Sequence, residues 1–230
     1  MPAIDPTEAS RRSFVYRKLS AAGATFETLG DGTIAANFPE VRTDAMERLA
    51  ICDLSGLPRV GIKGRDTLDW LRGLEFDFDD TPNRTHSQSD GTVLAVLSPN
   101  EVTLLSPLTN PNLALMGLAD KCSSDNGTRC YPVPRADMNF EFLVSGQHAA
   151  EMFSKVCSVS LQPSTFPANC LAQTSVASVN AIVLRADVGK NLAYRILGDS
   201  TSAEYIWDCL VDAMSEYGGT AVGFSDVRSD

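Results

Sequence analysis

The chain has 230 residues, 43% of them hydrophobic and 21% charged, with a formal net charge of -10 at pH 7. That composition fits a globular protein with a sizeable core, and the acidic balance excludes unaided nucleic-acid binding, which needs a basic face against phosphate. No stretch of ~18 apolar residues could span a bilayer. Residues 1–12 carry Asp5, Glu8, Arg11 and Arg12 and lack the apolar run of a signal peptide, so a cytoplasmic location is expected.

Residues 1–12 read as a flexible terminus. Residues 13–22 predict a short helix with Phe14, Leu19 and Ala22 on one face, stopped by Gly23. Residues 25–39 read as an irregular polar stretch with a Gly30-Asp31-Gly32 turn, residues 43–50 as helix and residues 51–55 as strand. A short apolar strand, a glycine and an amphipathic helix then follow in a pattern used three times. The copies run through Gly64, Gly146 and Gly198. In the first two copies Leu68 matches Ala150, Leu71 matches Phe153 and Leu74 matches Val156. A period-2 run switching to a 3.6-residue period marks strand passing into helix, and glycine accepts the backbone angles such a bend requires.

Between the copies, residues 77–84 read as a polar connection. Residues 92–97 and 101–105 read as a hairpin around Ser98-Pro99-Asn100, and residues 112–122 as helix. The loop at 122–134, with Pro132 and Pro134, divides the chain into halves at 13–130 and 131–230. Residues 172–184 read as one strand-like run, 187–191 as a hairpin turn, and 220–224 as a last short strand after Gly218-Gly219. The expected fold class is α+β. It comprises duplicated strand-glycine-helix units in two intimate halves of mostly antiparallel sheet, with helices packed on one face.

Chemistry-bearing motifs are scarce. There is no phosphate-binding loop, Gly-x-Gly-x-x-Gly, His-Glu-x-x-His or Gly-x-Ser-x-Gly. The two histidines are read structurally, His148 as a surface or capping residue and His86 as a solvated loop residue. The acidic run Glu75-Phe76-Asp77-Phe78-Asp79-Asp80 lacks the glycine and distant glutamate of a calcium loop and reads as a solvated connection. The six cysteines have no metal-like spacing and most read as buried thiols, with Cys122 and Cys130 able to pair under oxidant. Trp70 and Trp207 are assigned to the core. The triplets at 83–85 and 126–128 fit a glycosylation pattern that means nothing without secretion. No catalytic and no metal-ligating residue is assigned.

Four segments carry a family resemblance: Asp53-Leu54-Ser55-Gly56-Leu57-Pro58-Arg59, Pro82-Asn83-Arg84, Ala172-Gln173-Thr174-Ser175-Val176-Ala177, and the run from Asp199 to Asp208. Together, in this order, they resemble the folate-binding aminomethyltransferase family that contains the T-protein of the glycine cleavage system. Within it they are similar to the gamma-subunit family of heterotetrameric sarcosine oxidase.

The resemblance implies the folate-binding part of that fold without its C-terminal barrel domain. It also locates departures from the family's site. An aspartate that approaches the reactive folate nitrogen falls in Asp90-Gly91-Thr92-Val93-Leu94-Ala95, where an aliphatic residue takes its place. A pterin-holding glutamate falls at Asp187-Val188-Gly189-Lys190-Asn191 and is gone, and a pterin-packing methionine corresponds to Leu57. Losing both carboxylates removes orienting bonds and the charge that would stabilise a cationic intermediate.

The implied role is a non-catalytic gamma-type subunit scaffolding a large flavin- and folate-bearing chain, with no cofactor in this chain. The alternative is a folate-binding aminomethyltransferase-like protein with an altered site. Tetrahydrofolate would then be the ligand, and Leu57, Arg84, Lys190 and Asn191 the binding residues.

Overall fold

The computed structural model describes residues 4–125 and 127–228. Asn126, and with it the start of the 126–128 triplet, lies outside the described residues, as do Met1 to Ala3 of the N-terminal stretch. The strands are β1 (Thr25–Leu29), β2 (Gly32–Asn37), β3 (Ala50–Asp53), β4 (Arg59–Lys63), β5 (Arg84–Ser87), β6 (Val93–Ser98) and β7 (Glu101–Leu105), then β8 (Tyr131–Val133), β9 (Asn139–Ser145), β10 (Leu171–Val176), β11 (Val179–Arg185), β12 (Ala193–Asp199) and β13 (Thr220–Ala221). The α-helices are α1 (Tyr16–Ala21), α2 (Ala45–Arg48), α3 (Thr67–Gly73), α4 (Gly117–Ser124), α5 (Arg135–Met138), α6 (Ala149–Phe153), α7 (Ala203–Ser215) and α8 (Phe224–Arg228).

Two compact units result. The second comprises residues 57–138 and 169–171, and the first comprises the flanking segments 1–56, 139–168 and 172–230. The first unit holds the β1–β2 hairpin and a six-stranded sheet in the order β10-β11-β12-β9-β3-β13. Within that sheet β13 runs parallel to β3, and β3, β9, β12 and β11 pair antiparallel. The second unit holds an antiparallel five-stranded sheet in the order β5-β6-β7-β4-β8.

Each unit buries one sheet face under helices. In the second, Val60, Ile62, Leu94, Val96, Val102 and Leu104 of the sheet pack with Trp70 and Leu71 of α3 and Cys122 of α4. In the first, the Trp207 ring of α7 meets Phe142 of β9 edge-on at 5.1 Å, and Phe153 of α6 meets Tyr194 of β12 at 5.5 Å. Both tryptophans are core residues, as expected from their helical positions.

The duplication extends beyond the sequence repeat. The second unit runs β4-α3-β5-β6-β7-α4-β8, and the first repeats that order as β9-α6-β10-β11-β12-α7-β13. The glycines match in bonding. The Gly64 N–H donates to Asn100 O at 2.8 Å just before β7, and the Gly146 N–H donates to Leu192 O at 2.8 Å just before β12. Gly64 O accepts from Thr67 and Gly146 O from Ala149, three residues on in each case. Both glycines have positive φ, 145° and 125°.

Gly198 belongs to a different position. It lies inside β12, has no positive φ, and a Cβ there would come within 2.6 Å of the Phe140 ring. Its strand and helix, β12 and α7, stand where β7 and α4 stand in the second unit.

Local expectations were met at several places and corrected at others. Helix α1 stops at Gly23, where φ is +85°, and the Ala24 and Gly23 N–H groups bond back to Leu19 and Ser20. The 25–39 stretch is a hairpin rather than irregular: Phe26 of β1 and Ile34, Ala35 and Ala36 of β2 are buried, while Thr25 and Glu27 flank Phe26 on the other side of β1. Residues 172–184 are two strands because Ala177 and Ser178 both take positive φ, 46° and 67°, and fold the run back on itself. Only Ala45–Arg48 of the predicted 43–50 helix is helical. His86 is on β5 rather than in a loop, with its ring 6.3 Å from that of Phe78. After β13 the chain turns into α8 instead of continuing as strand.

Candidate functional site

The segment Asp53-Leu54-Ser55-Gly56 is fastened to β9 inside the first unit. The Leu54 N–H donates to Glu141 O at 2.8 Å, and the Ser55 hydroxyl accepts the Glu141 N–H at 3.1 Å. The Asp53 carboxylate accepts the Ser55 N–H at 3.1 Å, forming a tight polar turn. A side chain at Gly56 would lie 2.6 Å from Thr33 O, so this backbone crosses β2 too closely for anything but glycine. Each residue of the motif therefore has a packing or hydrogen-bonding duty.

Leu57 opens the second unit and is 1% exposed. Its carbonyl accepts Arg59 Nη1 at 2.9 Å, and Arg59 Nη2 reaches Ala136 O at 3.2 Å. Arg59 itself is 1% exposed. Arg84 is an exposed side chain of β5 with Nη1 3.0 Å from Cys170 Sγ, and the Thr85 N–H beside it donates to Asn169 O at 3.0 Å. Lys190 and Asn191 share the β11–β12 turn of the first unit, closed by reciprocal Val188–Asn191 backbone bonds of 3.0 and 2.8 Å. Asn191 is buried, whereas Lys190 extends outward to Glu47 at 2.6 Å. Among the four candidates, then, Lys190 and Asn191 come together on one turn, and Leu57 and Arg84 occupy separate elements of the other unit.

The places where the family's carboxylates were expected hold structural groups. Asp90 caps a turn, accepting from the Thr92 N–H at 2.8 Å, the Thr92 hydroxyl at 2.9 Å and Asn112 Nδ2 at 2.8 Å. Burial opposes its charge, yet the Thr92 and Asn112 bonds outweigh burial and hold its carboxyl below the usual range. Leu94 is fully buried in the second unit's core. Asp187 is held by Arg185, with 3.0 Å contacts to both of its oxygens.

A cleft of about 280 Å³ in the first unit is lined by Arg42, Thr43, Met46, Glu47 and Asp226 among others. Its charged groups have partners, since Arg42 grips Asp44 with bonds of 2.9 and 2.8 Å and Glu47 takes Lys190.

Among the described residues no group of three His, Cys, Asp or Glu side chains is placed to hold a metal ion. The acidic run is organised by a cation instead: Arg72 lies 5.2 Å over the Phe78 ring and pairs with Asp69 and Asp80. His148 bonds Glu151 at 3.0 Å and stacks on Tyr217 at 5.2 Å, and His86 faces Asp79 at 3.8 Å. Neither ring has a serine or cysteine hydrogen-bond partner among the described residues, so neither belongs to a nucleophile–base pair there. The six thiols are free, with Cys52, Cys122 and Cys130 buried and the other three half-buried. Burial pushes Cys122 up to about 11, which disfavours its reactive thiolate.

One polar pair escaped the sequence reading. Glu141 of β9 and Arg195 of β12 are 0% and 1% exposed and form a buried ion pair inside the six-stranded sheet. The signal was a charged residue centred in an apolar strand run, Phe140-Glu141-Phe142 and Tyr194-Arg195-Ile196.

No protein-family model and no curated protein sequence matches the chain. Solved structures do. A chain of the heterotetrameric sarcosine oxidase from Corynebacterium sp. U-96 superposes with a TM-score of 0.67 at 20% identity, over 91% of this chain and 97% of that one. The glycine cleavage system aminomethyltransferase T from Bartonella henselae superposes with a TM-score of 0.72 at 12% identity, over 94% of this chain and 60% of that one. No helix among the described residues is long and apolar enough to cross a membrane. The chain has the α+β fold shared by these two proteins.

Proposed function

We propose that this chain is a non-catalytic, gamma-type subunit of a heterotetrameric sarcosine (N-methyl amino acid) oxidase, acting in the cytoplasm. It would brace a large chain that carries the flavin and folate chemistry and would hold no cofactor of its own. The observation that carries the reading is a shared α+β architecture in which the positions expected to hold site carboxylates are taken by groups bonded within their own chain. The likeness reaches 97% of a chain from a heterotetrameric enzyme. Meanwhile Asp90 caps a turn, Leu94 fills the core and Asp187 is tied to Arg185. A site that stabilises developing charge needs carboxylates aimed at the ligand, and these are directed at their own chain.

Co-expression with the other chains of a sarcosine oxidase, followed by size-exclusion chromatography, tests the reading. Co-elution in a fixed ratio is expected, and a chain that elutes alone while the others assemble refutes it. Titration with tetrahydrofolate, read by tryptophan fluorescence, separates the alternative. Saturable binding that weakens in Asn191→Ala would assign Asn191 to a folate-binding turn and favour the alternative over the scaffold role.

A further inference from the structure

Helix α7 is well made on its inner side and costly on its outer side. Inward, Ile206, Trp207, Leu210, Ala213 and Met214 are buried. Outward, Glu204, Asp208, Asp212 and the C-cap Glu216 follow one another at four-residue spacing, and no lysine or arginine occurs from 203 to 216. Like charges one turn apart repel, and carboxylates near a helix C-terminus oppose its dipole. The chain relieves this only partly: Lys18 takes Asp208 at 2.9 Å and Lys155 takes Glu216 at 3.1 Å. Asp212 meets no cation among the described residues. Flanking the acidic row are two exposed hydrophobic side chains, Tyr205 at 53% and Val211 at 42%. Tyr205 is held in place, with its hydroxyl donating to Ala177 O at 3.2 Å.

We infer that this outer face of α7 docks a partner protein chain that presents Lys or Arg side chains one helical turn apart beside an apolar groove. The charge chooses the occupant. An acidic row repels nucleic acid and anionic lipid, and it complements a basic ridge that would relieve both the like-charge and the dipole cost. Tyr205, pre-ordered and amphipathic, supplies the anchor that interfaces favour. A helix that departs from its own local electrostatics at Asp212, with only partial relief from its own chain elsewhere in the row, marks a surface shaped for something else.

This inference rests on the subunit reading, and one experiment separates the two. Wild type, Asp212→Lys, Tyr205→Ala and the off-face control Asp120→Lys are each co-expressed with the other oxidase chains. Assembly is measured at low and high salt, and the isolated chains are melted. Wild type and Asp120→Lys assemble, less tightly as salt rises. Tyr205→Ala and Asp212→Lys each weaken assembly about tenfold or more. Asp212→Lys also raises the melting temperature of the isolated chain, because it breaks the acidic row and suits the helix C-terminus. Stability rising while assembly falls is a combination that misfolding cannot produce. If wild type assembles and both face variants assemble equally well, the docking face is wrong and the subunit role stands. If wild type itself does not assemble, both fall.

Discussion

Replacing Gly64 by alanine should cost the second unit more than any other single methyl group. A Cβ there would sit 2.0 Å from Arg129 O, 2.9 Å from Arg129 C and 3.1 Å from Cys130 Cα, all backbone, so no rotamer change gives relief. Arg129 cannot easily retreat, since Asp66 holds its N–H, Nε and Nη2, each at 3.0 Å. The φ of 145° adds backbone strain of about 1–3 kcal/mol for an L-residue. Overpacking adds about 1–3 kcal/mol more, and each loosened Asp66 bond about 1. With one such bond loosened the sum, about 3–7 kcal/mol, is a large part of the 5–15 kcal/mol of a typical domain. In a Trp207→Phe background, where Trp70 alone reports, the urea midpoint of the Trp70 signal should fall by about 1–3 M. Gly117→Ala is the control, because Gly117 has helical φ of -68° and no atom within 4 Å of a Cβ. It should gain about 0.5–1 kcal/mol. A Gly64→Ala midpoint within about 0.3 M of the parent would refute the close-crossing account.

Other perturbations follow from the same geometry. Glu75 ends α3 at φ 65°, with its N–H and that of Phe76 bonded back to Arg72 and Leu71, so Glu75→Gly should stabilise by about 1 kcal/mol in chemical denaturation. Ser178→Gly in the β10–β11 turn should do the same for the first unit, and a loss in either would contradict the strain assignment. Glu141→Gln removes the carboxylate charge that faces buried Arg195 and should lower stability by about 3–5 kcal/mol in a thermal melt. The double change Glu141→Leu with Arg195→Met should recover most of that, and an equally damaged double variant would show that the pair is not the cause. Burial pushes Tyr194 up to about 12 from its ordinary 10. The folded state thus holds that proton more tightly than the unfolded chain, and the associated stability is present below pH 10 and lost as pH rises towards 12. Stability measured across that interval should fall less steeply in Tyr194→Phe than in wild type.

Much of the fold was legible because the period-2 and 3.6-residue patterns were strong where strands and helices bury a face. The strands β4, β7, β9 and β12 and the helices α3 and α7 came from such runs. The hairpin β1–β2 was missed because Glu27 and Thr28 look like loop residues until β2 covers Phe26. The division of 172–184 was hidden because Ala177-Ser178 is a poor sequence for two left-handed residues, where Asn-Gly would have announced the turn. The third glycine copy looked equivalent in sequence, but Gly198 is small for the Phe140 ring rather than for a bend. At the candidate site the sequence located Lys190 and Asn191 on a turn correctly. It could not foresee that Lys190 would meet Glu47, about 140 residues earlier, or that Asp90 would be taken up by Asn112. Such pairings depend on tertiary proximity, to which local periodicity is blind.

The nesting of the second unit within the first sets an order of events in synthesis. Strand β3 leaves the ribosome early, yet its antiparallel neighbour β9 lies beyond the whole of residues 57–138, and its parallel neighbour β13 comes only at Thr220–Ala221. Residues 57–138 can meanwhile condense nearly complete, since all five strands of their sheet lie within that stretch. Closing long loops is slow, and an unpaired strand is exposed to wrong pairing while it waits. The nascent chain therefore carries β3, with its apolar Ala50-Ile51-Cys52, unpaired until β9 is made and with one edge open until β13 is made. Residues 57–138 mature first, and the six-stranded sheet is completed only when β13 arrives at residues 220–221.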